Sequence, residues 1–220
     1  MVIVVEPEAT LIWVTPNPEQ VIEAAGRTAY KSEDKITKES AADFVRKIRK
    51  LGHWSVIEHA CASFRLVMDR GQSHEFVRHR LLSLTQESTR YCSYKKNKFG
   101  SQISVVEPFF STKEAYLTWK ASVEHIETFY MTLLDQGEKS QMGRSILPIS
   151  LKTELVATAN FREWSHILNL RLSKAAHPQI RFLIAKVGRL LIREAPAVFE
   201  EFLNSIEEAE RLQRKPWENK

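Results

Sequence analysis

The sequence predicts an α+β protein, a single helix-rich domain of residues 1–220 built around a small, mostly antiparallel sheet. Residues 59–69 and 151–159 alternate apolar and polar side chains with a period of two, which is typical of strands. Several longer stretches repeat apolar residues every three or four positions, as amphipathic helices do. The strands are too scattered along the chain for a series of βαβ units.

The first half of the chain is expected to begin with strands. Residues 2–14 are rich in Val and Ile and are interrupted at Pro7, which predicts one or two short strands. Asn17, Pro18 and Gln20 then indicate a helix start, with Asn17 as N-cap and Gln20 completing a capping box. The elements expected next are this helix to about Tyr30, a helix at 38–51, the half-buried strand at 59–69 and a short helix at 72–78.

The second half is expected to contain the longest helix, at about 112–136. Ser111 and Glu114 form a capping box at its start, and its regularly spaced apolar residues give one face for the core. The other elements expected here are a polar loop at 95–100, a short helix at 139–146, the strand at 151–159, helices at 161–171 and 179–194, and an amphipathic segment at 197–212.

The composition excludes several classes of protein. Hydrophobic residues make up 43% and charged residues 27% of the chain, which is typical of a globular protein. The net charge of +5 favours anionic ligands. Only Cys61 and Cys92 are present, so a disulfide framework and a cysteine-based zinc cluster are excluded. We found neither a signal peptide nor an apolar run of membrane-spanning length, and we expect a cytoplasmic protein without a membrane partner.

The segment RHRLLSLTQESTRY, Arg78–Tyr91, contains three arginines, one histidine and four Ser or Thr hydroxyls in fourteen residues. Guanidinium groups bind phosphate and carboxylate through a rigid fork of donors. Leucines lie between the polar residues, which predicts that part of the segment is buried, and buried arginines need anionic partners. The segment therefore predicts a site for anionic ligands.

Two familiar kinds of site are not expected. The seven glycines form neither a dinucleotide-binding loop nor a P-loop. His74 and His79 are five residues apart, which is roughly 140° around a helix, so they do not share a face and we expect no metal.

The segment Arg78–Tyr91 resembles the signature of the flavin-dependent thymidylate synthases, in which Arg-His-Arg is followed after seven residues by Ser. Three more segments are similar to that family, in its order and spacing: GHWSVIEHA (52–60), GRSILP (143–148) and NFREWSHILNLR (160–171). The resemblance covers about residues 50–180. It implies the fold of that family and the reductive methylation of dUMP to dTMP, a step of dTTP biosynthesis. It also implies FAD as cofactor, methylenetetrahydrofolate and NADPH as co-substrates, release of tetrahydrofolate, and a homotetramer with active sites between subunits.

The resemblance also implies roles for individual residues. Arg171 would lie against the uracil edge and stabilise negative charge that develops on the ring. His53 would stand near the flavin, where nicotinamide or folate approaches. The other residues expected to hold FAD are Ser55, Arg78, His79, Arg80, Gln86, Asn160, Arg162 and His166. The residues expected to bind dUMP are Glu75, Phe76, Val77, Arg78, Gln86, Glu87, Ser88, Thr89, Arg90, Arg144 and Arg171.

Three residues depart from the family pattern: His166 stands in place of Asn, Glu75 in place of the Gln of several relatives, and Gln86 in place of the Glu of some members. Ser88 is expected to bind rather than to attack, because no general base accompanies it. Neither cysteine has the Pro-Cys-His setting of the unrelated, better-known synthases, so activation of uracil is expected to be electrostatic.

Other readings of these residues remain open. Ser55 with Glu58, and Asn160 with Glu163, could be local capping boxes at helix starts. The basic stretches at 46–50, 78–80 and 95–98 could belong to a nucleic-acid-binding module, although we expect no nucleic-acid partner. An enzyme of the same fold could also use flavin on another nucleotide.

Overall fold

The computed structural model describes residues 2–95 and 100–212. Most of the loop expected at 95–100 therefore lies outside the described residues. The strands are β1 (Ile3–Val5), β2 (Glu8–Val14), β3 (Cys61–Asp69), β4 (Ser83–Gln86), β5 (Ser104–Val106) and β6 (Lys152–Asn160). The helices are α1 (Pro18–Tyr30), α2 (Ser40–Lys50), α3 (Trp54–Ile57), α4 (Arg70–Phe76), α5 (Lys113–Asp135), α6 (Ser140–Gly143), α7 (Phe161–Arg171), α8 (Pro178–Glu194), α9 (Pro196–Phe199) and α10 (Leu203–Glu210).

Four strands form an antiparallel sheet in the order β2–β3–β6–β4. β1 and β5 pair in parallel as a separate two-stranded sheet. The predicted α+β class, with a small and mostly antiparallel sheet, is confirmed. β4 and β5 were not predicted, because strands of four and three residues are too short for an alternating pattern to stand out.

The helices lie close to their predicted positions, with differences at the ends. The short helix predicted at 72–78 covers Arg70–Phe76, so Arg78 lies beyond it. The segment at 139–146 is α6 followed by a 3-10 turn at Arg144–Ile146. The segment at 197–212 is divided into α9, a 3-10 turn at Glu200–Phe202 and α10.

Two of the predicted capping boxes do not form. Asn17 adopts a left-handed conformation (φ 47°), and its side chain makes no capping hydrogen bond. Its main-chain carbonyl instead accepts from the Gln20 N–H group at 3.0 Å. At the start of α5 the cap is Thr112 rather than Ser111, since the Thr112 hydroxyl accepts from the Ala115 N–H group at 3.2 Å.

The main core lies between one face of the antiparallel sheet and helices that include α1, α2, α7 and α8. Phe64 on β3 meets Trp164 on α7 edge to face, with 4.9 Å between the ring centroids. The Trp164 indole also donates to the Ala62 carbonyl at 3.0 Å, which ties α7 to the sheet. A smaller core lies beneath α5 and includes Val105, Val123 and Tyr130.

β3 is more buried than the half-buried strand that the alternation predicted. Ser63 and Val67 lie on the face opposite Phe64, yet they are only 2% and 8% exposed. β3 is an interior strand between β2 and β6, and the Ser63 hydroxyl accepts from Thr158 at 2.8 Å. Arg65 on the same face is exposed and pairs with Glu154 at 2.5 Å.

A buried polar cluster fixes α4, the helix that follows β3 directly. The Asp69 carboxylate accepts from the Gln72 N–H group at 2.6 Å and so caps α4. It also accepts from the side-chain amides of Gln72 at 3.1 Å and of Gln179 on α8 at 2.8 Å. Because a buried carboxylate needs such donors, this cluster sets where α4 begins and joins its first turn to α8.

No helix in the described part of the chain is both long enough and apolar enough to span a membrane.

Candidate active site

Arg171 is the last residue of α7, and two other parts of the chain hold its guanidinium. Its Nε–H group donates to Nε2 of His79 at 3.0 Å. Its Nη1 atom donates to the Glu75 carboxylate at 3.2 Å, and its Nη2 atom donates to the Glu75 main-chain carbonyl at 2.7 Å. The side chain is 18% exposed. The residue expected to activate uracil is thus fixed while part of it still faces solvent.

His79 is buried and neutral. Burial, followed by the positive charges of Arg171 and His166, lowers the pKa of His79 to about 4. Because Nε2 accepts a hydrogen bond from Arg171, the ring proton lies on Nδ1, which faces the Glu163 carboxylate at 3.6 Å. Burial also raises the pKa of Glu163. His79 therefore serves as a fixed acceptor that orients the guanidinium of Arg171.

His79, Glu163 and His166 offer ligand atoms that all lie within 4.8 Å of one another, as in a metal site. The neighbouring charge opposes that interpretation. The guanidinium of Arg171 is in hydrogen-bond contact with His79 and would repel a metal cation, and the bond occupies one ring nitrogen. We assign no metal to this cluster.

β4 and the residue after it form a second part of the site, which contacts the first turn of α4. The Gln86 amide donates to the hydroxyls of Ser73 at 3.0 Å and Thr153 at 3.1 Å. The Glu87 carbonyl accepts from Arg70 at 2.9 Å, and the Glu87 carboxylate pairs with Lys152 at 3.4 Å. Both residues were expected to bind ligands. α4 therefore contacts two groups of predicted site residues, one at each end.

A cavity of about 590 Å³ lies beside α7. It is bordered by His166 and Arg162, two residues expected to hold FAD, and by Trp54. Arg162 also pairs with Glu58 at 2.6 Å. Asn160 precedes α7, and its side-chain oxygen accepts from the Glu163 N–H group at 2.9 Å, so the capping alternative for Asn160 is confirmed.

The corresponding alternative for Ser55 is wrong. α3 begins at Trp54 with His53 at the N-cap position, and no side chain caps it. Ser55 lies inside this short helix and is exposed, while Glu58 is engaged by Arg162. The Ser55 hydroxyl is therefore not used as a cap.

His53 borders a different cavity, of about 680 Å³, between α1 and α2. Half of the ten residues that share it with His53 are basic or aromatic, and one is acidic: Arg27, Lys35, Lys47, Tyr30 and Phe44, with Asp43. Arg27 is already paired with the buried Glu23 at 2.9 Å. Lys35 and Lys47 form no ion pair with any described residue and give the cavity its positive charge.

The segment Arg78–Tyr91 is buried in part, as predicted, but its arginines are not the buried members. Arg78, Arg80 and Arg90 are exposed, and none forms an ion pair within the described chain. The buried members are His79 and Thr89, while Leu81 is 77% exposed. The leucines misled the prediction because the segment follows the protein surface and only some of its side chains turn inwards.

The remaining predicted residues are not bonded to Arg171. Within the described residues, no hydrogen bond or ion pair joins Ser88, Thr89, Arg90 or Arg144 to Arg171. Arg144 and Val77 are exposed. The Phe76 side chain is fully buried in the main core near Trp164, so only its main chain is available to a ligand.

The chain is similar in sequence to known proteins of one family. The family model of the thymidylate synthase complementing protein matches residues 10–197. The chain belongs to this family. A flavin-dependent thymidylate synthase of Geobacter sulfurreducens is 30% identical over 87% of this chain and 84% of its own length. Proteins of the same name from Mycolicibacterium gilvum and Corynebacterium diphtheriae are 33% and 30% identical, over 83% and 86% of this chain and 78% and 80% of theirs.

The family predicted from four short segments is confirmed. In this member of the thymidylate synthase complementing protein family, sequence reasoning missed the residues that support the site. Glu163 was considered only as part of a capping box, yet it faces His79. A signal was present, since Glu163 and His166 are three residues apart and so share a helix face. Nothing in the sequence pointed to Ser73 and Thr153 as the acceptors for Gln86.

Proposed function

We propose that the protein is a flavin-dependent thymidylate synthase that converts dUMP to dTMP, with methylenetetrahydrofolate as carbon donor and NADPH as the source of reducing equivalents. Family membership and the names of the relatives support this activity. The observation that carries it is the Arg171 guanidinium, held by His79 and Glu75 where a uracil ring could reach its remaining donors.

The chain has groups that fit FAD. Arg78 and Arg80 are exposed cations without ion-pair partners among the described residues, as a diphosphate requires. Asn160, Arg162 and His166 lie on one stretch of β6 and α7, and the last two border a cavity of about 590 Å³. When bound, FAD would carry the reducing electrons. The protein would bind and orient it, with Ser55, His79 and Gln86 as further contacts.

Arg171 would activate uracil electrostatically. C5 of uracil is a poor nucleophile, and a fixed guanidinium at N3 and the adjacent carbonyl would stabilise negative charge on the ring. A cysteine is not needed for this step. Burial raises the pKa of the Cys61 thiol on β3, so this group is a weak nucleophile at neutral pH. The dUMP phosphate and sugar would be bound by Ser88, Thr89, Arg90 and Arg144.

The cavity beside His53 suits the co-substrates. NADPH and folate both join an aromatic ring to several negative charges. The cavity provides the cations Lys35 and Lys47 and the rings of Tyr30 and Phe44. His53 lines this cavity, where it would meet the nicotinamide or folate ring.

We also propose that the active protein is a cytoplasmic homotetramer with sites between subunits. Support comes from the exposed arginines Arg90 and Arg144, which form no ion pair with any described residue. Large apolar side chains are also exposed, including Trp13 (45%), Tyr91 (74%) and Leu81 (77%). A second subunit would cover such residues and complete the site.

The nucleic-acid-binding alternative has less support. In the basic stretch at 46–50, Arg46 is paired with Glu200 at 2.8 Å and Arg49 is paired with Glu201. These pairs reduce the positive charge that a phosphate backbone would meet. Lys96 and Lys98 lie outside the described residues.

The test is a product analysis. The purified protein is supplied with FAD, dUMP, methylenetetrahydrofolate and NADPH without oxygen, and the nucleotide and folate products are separated by mass spectrometry. We expect dTMP and tetrahydrofolate in equal amounts. Formation of dihydrofolate, or no dTMP, would contradict the proposal. Parallel reactions with NADH and with UMP or dCMP test the choice of reductant and the alternative that another nucleotide is the substrate.

A further inference from the structure

Glu75 makes two contacts to Arg171, one through its carboxylate and one through its main-chain carbonyl. With the bond to His79, three of the five N–H donors of the guanidinium are occupied. Two donors remain for a ligand. A carboxylate in direct contact with the substrate-activating cation would weaken its positive field, so its presence here calls for a functional explanation.

We propose that Glu75 is a positioning residue that holds the Arg171 guanidinium and sets how much positive charge it presents to the uracil ring. The inference rests on the proposed function and departs from the expectation that Glu75 binds dUMP directly. The contact is between the last turn of α4 and the last residue of α7, two helices anchored by the core. Because each residue is part of an anchored helix, the contact between Glu75 and Arg171 also fixes the distance between these two helix ends.

The pair is better shielded from water than a surface ion pair. The side chains of Arg171 and Glu75 are 18% and 36% exposed, so solvent screens their interaction only in part. The other charged or titratable groups near Arg171 are His79, which is neutral, and beyond it Glu163 and His166. Lys174 and Glu208 line a cavity of about 690 Å³ together with Arg171 and pair with each other at 3.2 Å. Glu75 is therefore the carboxylate in direct contact with the guanidinium.

The consequence is a measurable effect on the acidity of the bound nucleotide. A negative charge near N3 of uracil opposes loss of the N3 proton, while Arg171 favours it. Removing the Glu75 charge should therefore lower the N3 pKa of the bound ring. For two charges about 8 Å apart at an effective dielectric constant of about 20, the change is about 1.5 pKa units.

Two substitutions separate charge from hydrogen bonding. Glu75→Gln removes the charge and keeps a side-chain oxygen that accepts from Nη1 of Arg171. Glu75→Ala removes both, and Arg171 then keeps only the main-chain carbonyl and His79. If Glu75 positions Arg171, Glu75→Ala should have a kcat about tenfold below that of Glu75→Gln at similar KM for dUMP, because a displaced guanidinium loses transition-state contact.

The test uses the FAD-loaded protein with 5-fluoro-dUMP, whose fluorine makes N3 more acidic and reports its ionisation by ¹⁹F NMR. The pH of the complex is varied, and the N3 pKa is compared between the unmodified protein, Glu75→Gln and Glu75→Ala. Glu210→Gln is the matched control, since it breaks an ion pair with Arg189 that lies on α8 and α10. Thermal unfolding shows whether each variant is folded.

We expect the N3 pKa to fall by about 1.5 units in Glu75→Gln and to stay unchanged in Glu210→Gln. In Glu75→Ala it should fall less, because the displaced guanidinium of Arg171 stabilises the N3 anion less. An unchanged or higher N3 pKa in Glu75→Gln would overturn the charge-setting role. Equal kcat in the two Glu75 variants would overturn the positioning role. If the unmodified, FAD-loaded protein fails to bind the nucleotide, the proposed function itself is wrong, which is a distinguishable result.

Discussion

The Nε–H group of Arg171 donates to Nε2 of His79 at 3.0 Å, although the two residues are 92 positions apart in the sequence. This bond joins the end of α7 to the loop after α4. It also requires the neutral form of His79, because a protonated ring would have no lone pair to accept it. The catalytic proposal therefore depends on the environment that keeps His79 uncharged.

Replacing Arg171 by Lys should lower kcat by about a hundredfold or more, because a single ammonium group cannot keep the bonds to His79 and Glu75 and also serve the uracil. Steady-state kinetics with dUMP checks this expectation. Arg189→Lys on α8 is the control, since Arg189 pairs only with acidic residues of α10. An equal loss of kcat in Arg171→Lys and Arg189→Lys would show that the effect is not specific to the site.

His79 should make the protein less stable in acid. Its pKa is lowered from 6.5 to about 4 in the folded protein, so the unfolded chain binds a proton more readily between these pH values. Stability contributed by neutral His79 is present above about pH 6.5 and is lost as the pH falls towards about 4. Urea unfolding midpoints measured between about pH 4 and pH 6.5 give the slope of stability against pH.

His79→Gln provides the comparison for that slope, because glutamine can accept from Arg171 but does not titrate. Its midpoint should fall less on acidification than that of the unmodified protein. The raised pKa of Glu163 acts in the opposite sense and is present in both proteins. If the two slopes coincide, the burial of neutral His79 does not control acid stability.

Asn160 should have two separable roles. Asn160→Ala should cost about 1 kcal/mol of stability through loss of the helix cap. Asn160→Asp should restore that stability, since a carboxylate also caps. It should still bind FAD more weakly, because it lacks the amide donor and adds negative charge beside the diphosphate. Unfolding curves and FAD titrations, taken together, check both roles. Full recovery of FAD affinity in Asn160→Asp would mean that Asn160 is a cap alone.

Gly188 should be required for the close packing of α8 on α10. A Cβ atom added there would lie 2.6 Å from Cδ1 of Ile206. Gly188→Ala should therefore destabilise the fold by about 1–3 kcal/mol. Ile206→Val removes that Cδ1 atom, so the double variant should lose less stability than the sum of the two single variants. If the losses of unfolding free energy in urea are additive, Gly188 and Ile206 are not in close contact.

Much of the fold could be predicted because the sequence pattern is local. The alternation at 151–159 matches β6, whose residues Leu155, Ala157 and Ala159 face the core. The helix predicted at 161–171 is α7 without a change of boundary. Short strands such as β4 could not be predicted, since their pairing with β6 depends on residues about 70 positions away.

The sequence predicted many residues of the candidate site but not the hydrogen bonds and ion pairs between them. The motifs indicated Arg171, His79 and Glu75, yet nothing in the sequence showed that all three meet. Such contacts depend on how α4 and α7 pack, which is set by the buried Asp69 cluster and by the core. The burial of Arg78, Arg80 and Arg90 was predicted wrongly. The leucines between them suggested that these side chains are buried, but they are exposed.

The most direct test of the central claim is to record the visible absorption of the FAD-loaded protein while dUMP is added. The claim is that one site, arranged around Arg171, holds both ligands. We expect the flavin bands to shift in a saturable way, since the bound nucleotide changes the surroundings of the flavin ring. A protein that takes up no FAD, or whose flavin bands do not respond to dUMP, would contradict the account.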